Sequence, residues 1–275
     1  MQTLCESLLA AYGDPRFVPV VLGTVLLSMV AFLVFAGPLT ALAARDPAWA
    51  RRFRIQSGRG NRGLTDADAE ARGLLVQGPL MVRRSLRQWA INNSWMLAAA
   101  VAGWPLMSLS GIHLGPLPAW WVLVLQLLFC LYLDDFLYYW LHRAMHGRFL
   151  LRHVHGRHHR ILAPWAISGH YMHPVEYVLT GTLAFLGPAL LGAHVVLLWI
   201  WIAFRQWEAA EGHCGYALPF SPTRWLPGSH GALHHDFHHA QVRGNYAGFL
   251  GIWDRVFGTE VRDYERSRRD WLTRA

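Results

Sequence analysis

Apolar residues along this chain gather into long runs in which polar residues are sparse, the pattern of membrane-crossing helices rather than of half-buried elements. The first run covers residues 17–43 and includes Val-Pro-Val-Val-Leu-Gly-Thr-Val-Leu-Leu from Val18 to Leu27. Weaker runs follow at residues 89–109 and 117–137, and a fourth fills residues 177–207. Since roughly 20 apolar residues cross a bilayer, each of the first three predicts one span. The turn-rich segment 110–118 predicts a short loop between the second and third. No helix breaker separates the third run from His142, so that helix is expected to end in a polar, histidine-bearing turn. Gly187, Pro188 and Gly192 interrupt the fourth run and predict a helical hairpin. Residues 149–160 mix basic and apolar positions, as an interfacial helix does.

The expected fold is therefore all-α, a polytopic membrane helical bundle of about five crossings with a histidine-rich cap on the cytoplasmic side. Residues 1–124 would supply membrane-anchoring spans and a basic connector, residues 125–262 the chemistry, and residues 263–275 a basic tail. Composition agrees: 53% of the 275 residues are hydrophobic and 15% charged, against about 25% charged in soluble domains. The formal charge of +8 could suggest nucleic acid. Its arginines, however, sit in short connectors such as Arg51-Arg52-Phe-Arg54, Arg83-Arg84 and Arg268-Arg269, where the positive-inside rule expects them on cytoplasmic loops. Nucleic acid is excluded as a partner on that ground. Residues 45–62 and the next residue, with Gly58, Gly60 and Gly63 among arginines, read as a loose cytoplasmic connector. Cys5, Cys130 and Cys214 form no close pair and predict no disulfide framework. No basic segment precedes the first apolar run, so it is expected to stay as an anchor.

Sixteen histidines change the picture from anchor to chemistry. Eight fall into tight groups: His142 and His146; His155, His158 and His159; His235, His238 and His239. Intervals of three and four place imidazoles on one face of a helix, where several can aim at a common point. Imidazole suits zinc, copper, iron and nickel, and a metal ion takes about four protein ligands, so eight predict two ions side by side. His213 follows the returning hairpin helix and is expected to join them. His234 adjoins His235 but points about 100° away on a helix. His173 precedes Pro174 at a helix start and either ligates or lines the site with His170. His113, His153, His194 and His230 stand apart.

Ligating histidines donate their other ring N–H to a carboxylate or carbonyl. Asp135, Glu176 and Asp236 are the candidate acceptors. Asp135 shares a helix face with Tyr138, His142 and His146; it either serves a ligand on a neighbouring helix or marks where its own helix leaves the lipid. Trp140, Trp165, Tyr171, Phe220 and Trp225 lie in or between the groups, as a pocket wall or as interfacial anchors.

The ordered series Asp135-x-x-Tyr138-Tyr-x-x-His142-Arg-x-x-His146, His155-x-x-His158-His159, His173-Pro-x-Glu176, His213-x-Gly-Tyr216, His235-Asp-Phe-His238-His239, Gly244-Asn-Tyr and Asp254-x-x-Phe-Gly-Thr259 resembles the fatty acid hydroxylase superfamily, in its sterol desaturase and sterol methyl oxidase branch. The resemblance implies a non-haem diiron oxygenase. It would use O2 and two external electrons to hydroxylate or desaturate a lipid. His142, His146, His155, His158, His159, His235, His238 and His239 would hold two irons, with His213 a ninth ligand. Ala217 stands where relatives can supply another, leaving the tenth to His234, His173, water or nothing. No haem, flavin or iron–sulfur segment is visible, so a separate ferredoxin- or cytochrome-type donor with its reductase is implied. The rival class is a histidine-rich metal transporter, whose sites usually lie near the bilayer midplane.

Overall fold

The computed structural model describes residues 2–56 and 66–261. The glycines expected in the loose connector and the basic C-terminal tail lie outside them. Helix α1 (Gln2–Ala11) is followed by a π-helical stretch, Val18–Gly23, that runs straight into α2 (Thr24–Arg45). Short α3 (Ala48–Arg51) and α4 (Asp66–Ala71) precede α5 (Pro79–Met107) and α6 (Trp120–Met145). Then come α7 (Arg148–His153), the 3-10 segments His155–Arg160 and Ala166–His170, the hairpin of α8 (Pro174–Leu190) and α9 (Val195–Gly212), α10 (Gly231–Gln241) and α11 (Ile252–Val256). The described residues contain no β-strand, as a helical membrane bundle requires.

Val18–Arg45 and Trp120–Met145 are long and apolar enough to cross a membrane, with mean hydropathies of 2.6 and 1.6. Only 22% of each helix's apolar window is buried against protein. Leu26, Val30 and Val34 on one helix, and Trp120, Trp121 and Leu125 on the other, therefore face outward, where lipid covers such a surface at no cost. The inner faces pack instead: α2 lies along α9, and Val20, Val21, Trp104, Leu197, Leu198 and Trp201 form the principal core.

One end of the bundle is tied by loops. The Arg16 guanidinium donates to the carbonyls of Ser108, Ser110 and Ile112 at 2.9–3.1 Å while pairing with Asp14. The His113 amide donates to Ala193, and Val195 donates back to His113. The His194 ring accepts from the Val196 amide and caps α9. His113 and His194 are thus fasteners of this end.

Three expectations on element boundaries are corrected. Helix α5 starts at Pro79, about ten residues before its apolar stretch, because proline suits a first helical turn and the arginine-bearing turns remain helical. Residues 149–160 do not form one helix: the chain turns at Val154 (φ −122°, ψ −74°), and the second half is a 3-10 segment. Gly187 and Pro188 do not interrupt α8. The Ala184 carbonyl, which Pro188 cannot bond, accepts the Trp201 indole N–H at 2.9 Å. The hairpin turns at Gly192, which has a φ of +54° and sits so near Gly111 that a Cβ there would lie 3.3 Å from its backbone, a tight contact.

Candidate metal centre

At the opposite end, nine imidazoles converge in two clusters. His142, His146, His155, His159 and His238 form one; His158, His213, His235 and His239 form the other. Within each, one nitrogen per ring lies within 4.8 Å of all the others. The clusters adjoin: the His159 and His239 ring centroids are 5.0 Å apart across the divide. All nine rings are buried except His146, which is half-buried.

The sequence groups do not map onto the clusters one to one. Each pair at an interval of four shares a cluster: His142 with His146, His155 with His159, His235 with His239. The residue between, His158 or His238, goes to the other cluster. Adjacent positions diverge by about 120° on a 3-10 segment and about 100° on an α-helix, so His158 and His159 cannot face one ion, nor can His238 and His239. Two of the groups thus straddle both clusters, while α6 serves only the five-histidine cluster and the end of α9 only the four.

Ring orientation is fixed from outside. The Nδ1 atoms of His142, His238, His239 and His213 lie 2.6–2.8 Å from the carbonyls of Tyr246, Gly244, Ile161 and Ala209. His158 Nδ1 faces the Tyr171 carbonyl at 3.3 Å, and His155 Nδ1 faces Glu176 Oε1 at 2.6 Å. A carbonyl only accepts, so each of those Nδ1 atoms carries the proton and each Nε2 presents a lone pair. Yet Nε2 meets Nε2 at 3.2 Å between His142 and His155, and at 3.1 Å between His213 and His158. Lone pairs held that close repel unless a cation lies among them. Burial pushes His146 and His158 down to about 3 and His213 down to about 4, which keeps these rings neutral and available as ligands. The donor set therefore fits two transition-metal ions of the kind imidazole prefers.

The loop after α10 is shaped for this task by two buried carboxylates. Asp254 accepts from the amides of Tyr246 and Ala247 at 2.8 Å and from the Thr259 hydroxyl at 2.6 Å. Asp135 accepts from the amides of Phe249 and Leu250 at 2.6 and 3.1 Å. Asp135 accordingly does not serve a ligand ring; its oxygens are used on backbone. Asp236 likewise accepts from Gln56 at 2.7 Å, because it points away from the face that carries His235 and His239. Glu176 alone of the three expected carboxylates touches a clustered imidazole. Neither expected tenth donor joins a cluster: His234 faces Asp254 at 3.4 Å, and the His173 ring caps α8 by accepting from Val175.

A cavity of about 310 Å³ opens beside the centre. His158, His213 and His235 line it, all three from the four-histidine cluster. From there it follows the α5 face through Asn93, Met96, Ala100 and Gly103 to Met107, about 20 Å along a helix. Val20, Thr24 and Ser28 also line it, so the N-terminal third supplies wall as well as anchoring. Trp140, Trp165, Tyr171 and Phe220 do not line it, and Trp140 and Phe220 face outward. The sequence reading missed the cavity and the orienting carbonyls. A carbonyl has no residue signature, and the cavity walls differ in nothing from other apolar helix faces. His170, stacked on Phe32 at 3.8 Å, was signalled only by its place beside His173.

Residues 127–259 match the fatty acid hydroxylase family model. The chain is 36% identical over 195 residues to methylsterol monooxygenase 2-2 of Arabidopsis thaliana, covering 70% of this chain and 71% of that protein. It is 40% identical over 146 residues to methylsterol monooxygenase 1 of Rattus norvegicus, covering 53% and 50%. It is 39% identical over 176 residues to very-long-chain aldehyde decarbonylase GL1-11 of Oryza sativa subsp. indica, covering 62% of this chain and 66%, just under two thirds, of the rice protein. No solved structure matches the chain. The chain belongs to the fatty acid hydroxylase family.

Proposed function

We propose that this family member is a multi-pass membrane oxidoreductase that holds two iron ions in its histidine clusters and hydroxylates or desaturates a lipid in lipid biosynthesis. The single observation that carries the reading is the set of inward-facing lone pairs beside a lipid-sized cavity. Iron bound there would supply activation of O2 with two external electrons, chemistry closed to redox-inert zinc. The chain's residues do the rest. His142, His146, His155, His159 and His238 hold one ion, and His158, His213, His235 and His239 the other. Glu176 and the backbone carbonyls fix the ring tautomers, and the apolar walls align a hydrocarbon and exclude water. The relatives' names, methylsterol monooxygenase and very-long-chain aldehyde decarbonylase, agree with a long apolar substrate.

Five helices, α2, α5, α6, α8 and α9, would cross the bilayer and set the clusters on the cytoplasmic face, beside the arginine-bearing connectors. Electrons would come from a separate ferredoxin- or cytochrome-type donor and its reductase. A transport relay would string donors along a path near the midplane, whereas these nine gather at one end of the bundle. Comparative mass spectrometry of lipids from a deletion strain tests the proposal. A species one oxygen heavier, or two hydrogens lighter, should vanish on deletion, return with the intact gene and fail to return with His158→Ala or His238→Ala. Unchanged lipids in all strains would refute it.

A further inference from the structure

Beside the four-histidine cluster, the cavity wall carries a phenol and a carboxylate. Tyr138 on α6 and Glu208 on α9 both line it there. Tyr138 stands one helical turn before His142, and Glu208 one turn before Gly212, which packs against His235. Each is thus about 6 Å along its axis from the metal-binding end. The two border one space: a Cβ added to Gly248 would lie 3.3 Å from Tyr138 Cδ1 and 3.4 Å from Glu208 Oε1.

Neighbours hold both side chains but do not use them up. Glu208 Oε2 accepts from Arg205 at 2.6 Å, and Arg205 also pairs with Asp134 at 3.1 Å and lies over the Tyr138 ring at 5.6 Å. Glu208 Oε1 and the Tyr138 hydroxyl have no hydrogen-bond partner among the described residues, and neither is sealed from the cavity. Charged and hydroxyl groups at membrane depth are costly and are retained for function. A pair left open in the wall of a largely apolar cavity, beside the buried histidines, calls for a ligand group that satisfies both.

We infer that Tyr138 and Glu208 anchor a hydroxyl group on the lipid, so that the substrate enters polar end first and its hydrocarbon trails toward Met107. A phenol donates and a carboxylate only accepts. A ligand hydroxyl can accept from Tyr138 and donate to Glu208 at once; a carbonyl or ether can use only the first, and a hydrocarbon neither. This inference rests on the cavity being the lipid site proposed above.

Binding without turnover tests it apart from that proposal. The iron-loaded, full-length protein in detergent, kept anaerobic and without reductant, would be titrated with two series of probes: hexadecan-1-ol, its methyl ether and hexadecane; and cholesterol, its methyl ether and 5-cholestene. In at least one series the alcohol should bind about tenfold tighter than the hydrocarbon, with the ether between them. Glu208→Met should bring alcohol and ether together, and Tyr138→Phe should lower both toward the hydrocarbon, whose own affinity should hold in each variant. Equal affinities across both series in the unaltered protein would overturn the inference, as would an alcohol preference that survives both substitutions. Failure of lipid oxidation while the alcohol preference is seen would count against the iron chemistry alone.

Discussion

The two histidine clusters share two of their segments yet differ in donors, support and outlook. The cluster of His142, His146, His155, His159 and His238 has five imidazoles, one of them half-buried, and a carboxylate, Glu176, on its central ring. The cluster of His158, His213, His235 and His239 has four, all buried, and its outer nitrogens bond only to carbonyls where partners are seen. Three of those four line the cavity. A saturated site holds its ion, whereas a site one donor short and facing an apolar channel can admit a reacting molecule. On the proposed reading, the asymmetry would assign retention to the five-histidine cluster and reactivity to the four.

The most severe way to break this contrast is to remove one donor from each side. His213→Ala leaves its ion three imidazoles and should abolish oxidation and release one of the two ions, read by elemental analysis. His146→Ala leaves four donors at its site and should retain both ions with weakened affinity; equal loss in the two variants would erase the distinction. Glu176→Gln comes next. It keeps the packing but removes the negative acceptor from His155, and should weaken the five-histidine site by about 10- to 100-fold while sparing the other, as competition with a chelator would show.

Acid should act on both clusters together. Burial holds His146 and His158 down at about 3, against an ordinary 6.5. The unfolded chain therefore binds protons that the fold refuses, and stability falls as pH drops from about 6.5 toward about 3. Thermal melting of the metal-free protein should decline across that window and be level above it. The smallest effect belongs to Phe220, an exposed aromatic remote from the cavity: Phe220→Ala should shift stability by less than about 0.5 kcal/mol and leave metal content unchanged.

How legible the site was depended on the kind of signal each part leaves. Periodicity announced the spans and the ligand-bearing turns because both repeat along the chain, and the nine histidines expected as ligands are the nine the structure gathers. Their partition into five and four was not stated in advance, although the 100° rule used to set aside His234 contains it for His158 and His159. Asp135 misled because a buried carboxylate beside a metal site suggests a ring partner, and only the folded loop shows that backbone amides claim it. Glu176 reaches His155 only through the start of α8, a contact no interval along the chain encodes. The cavity was illegible because it is formed by what eight separate stretches of chain leave unfilled.

The central claim is that this chain holds two metal ions in unequal sites. Elemental analysis of protein purified without chelator and reconstituted anaerobically with ferrous iron tests it most directly, with His213→Ala measured in parallel. The account predicts two tightly held irons per chain, and one fewer in the variant. A single iron per chain, or metal that exchanges freely on dialysis, would contradict it.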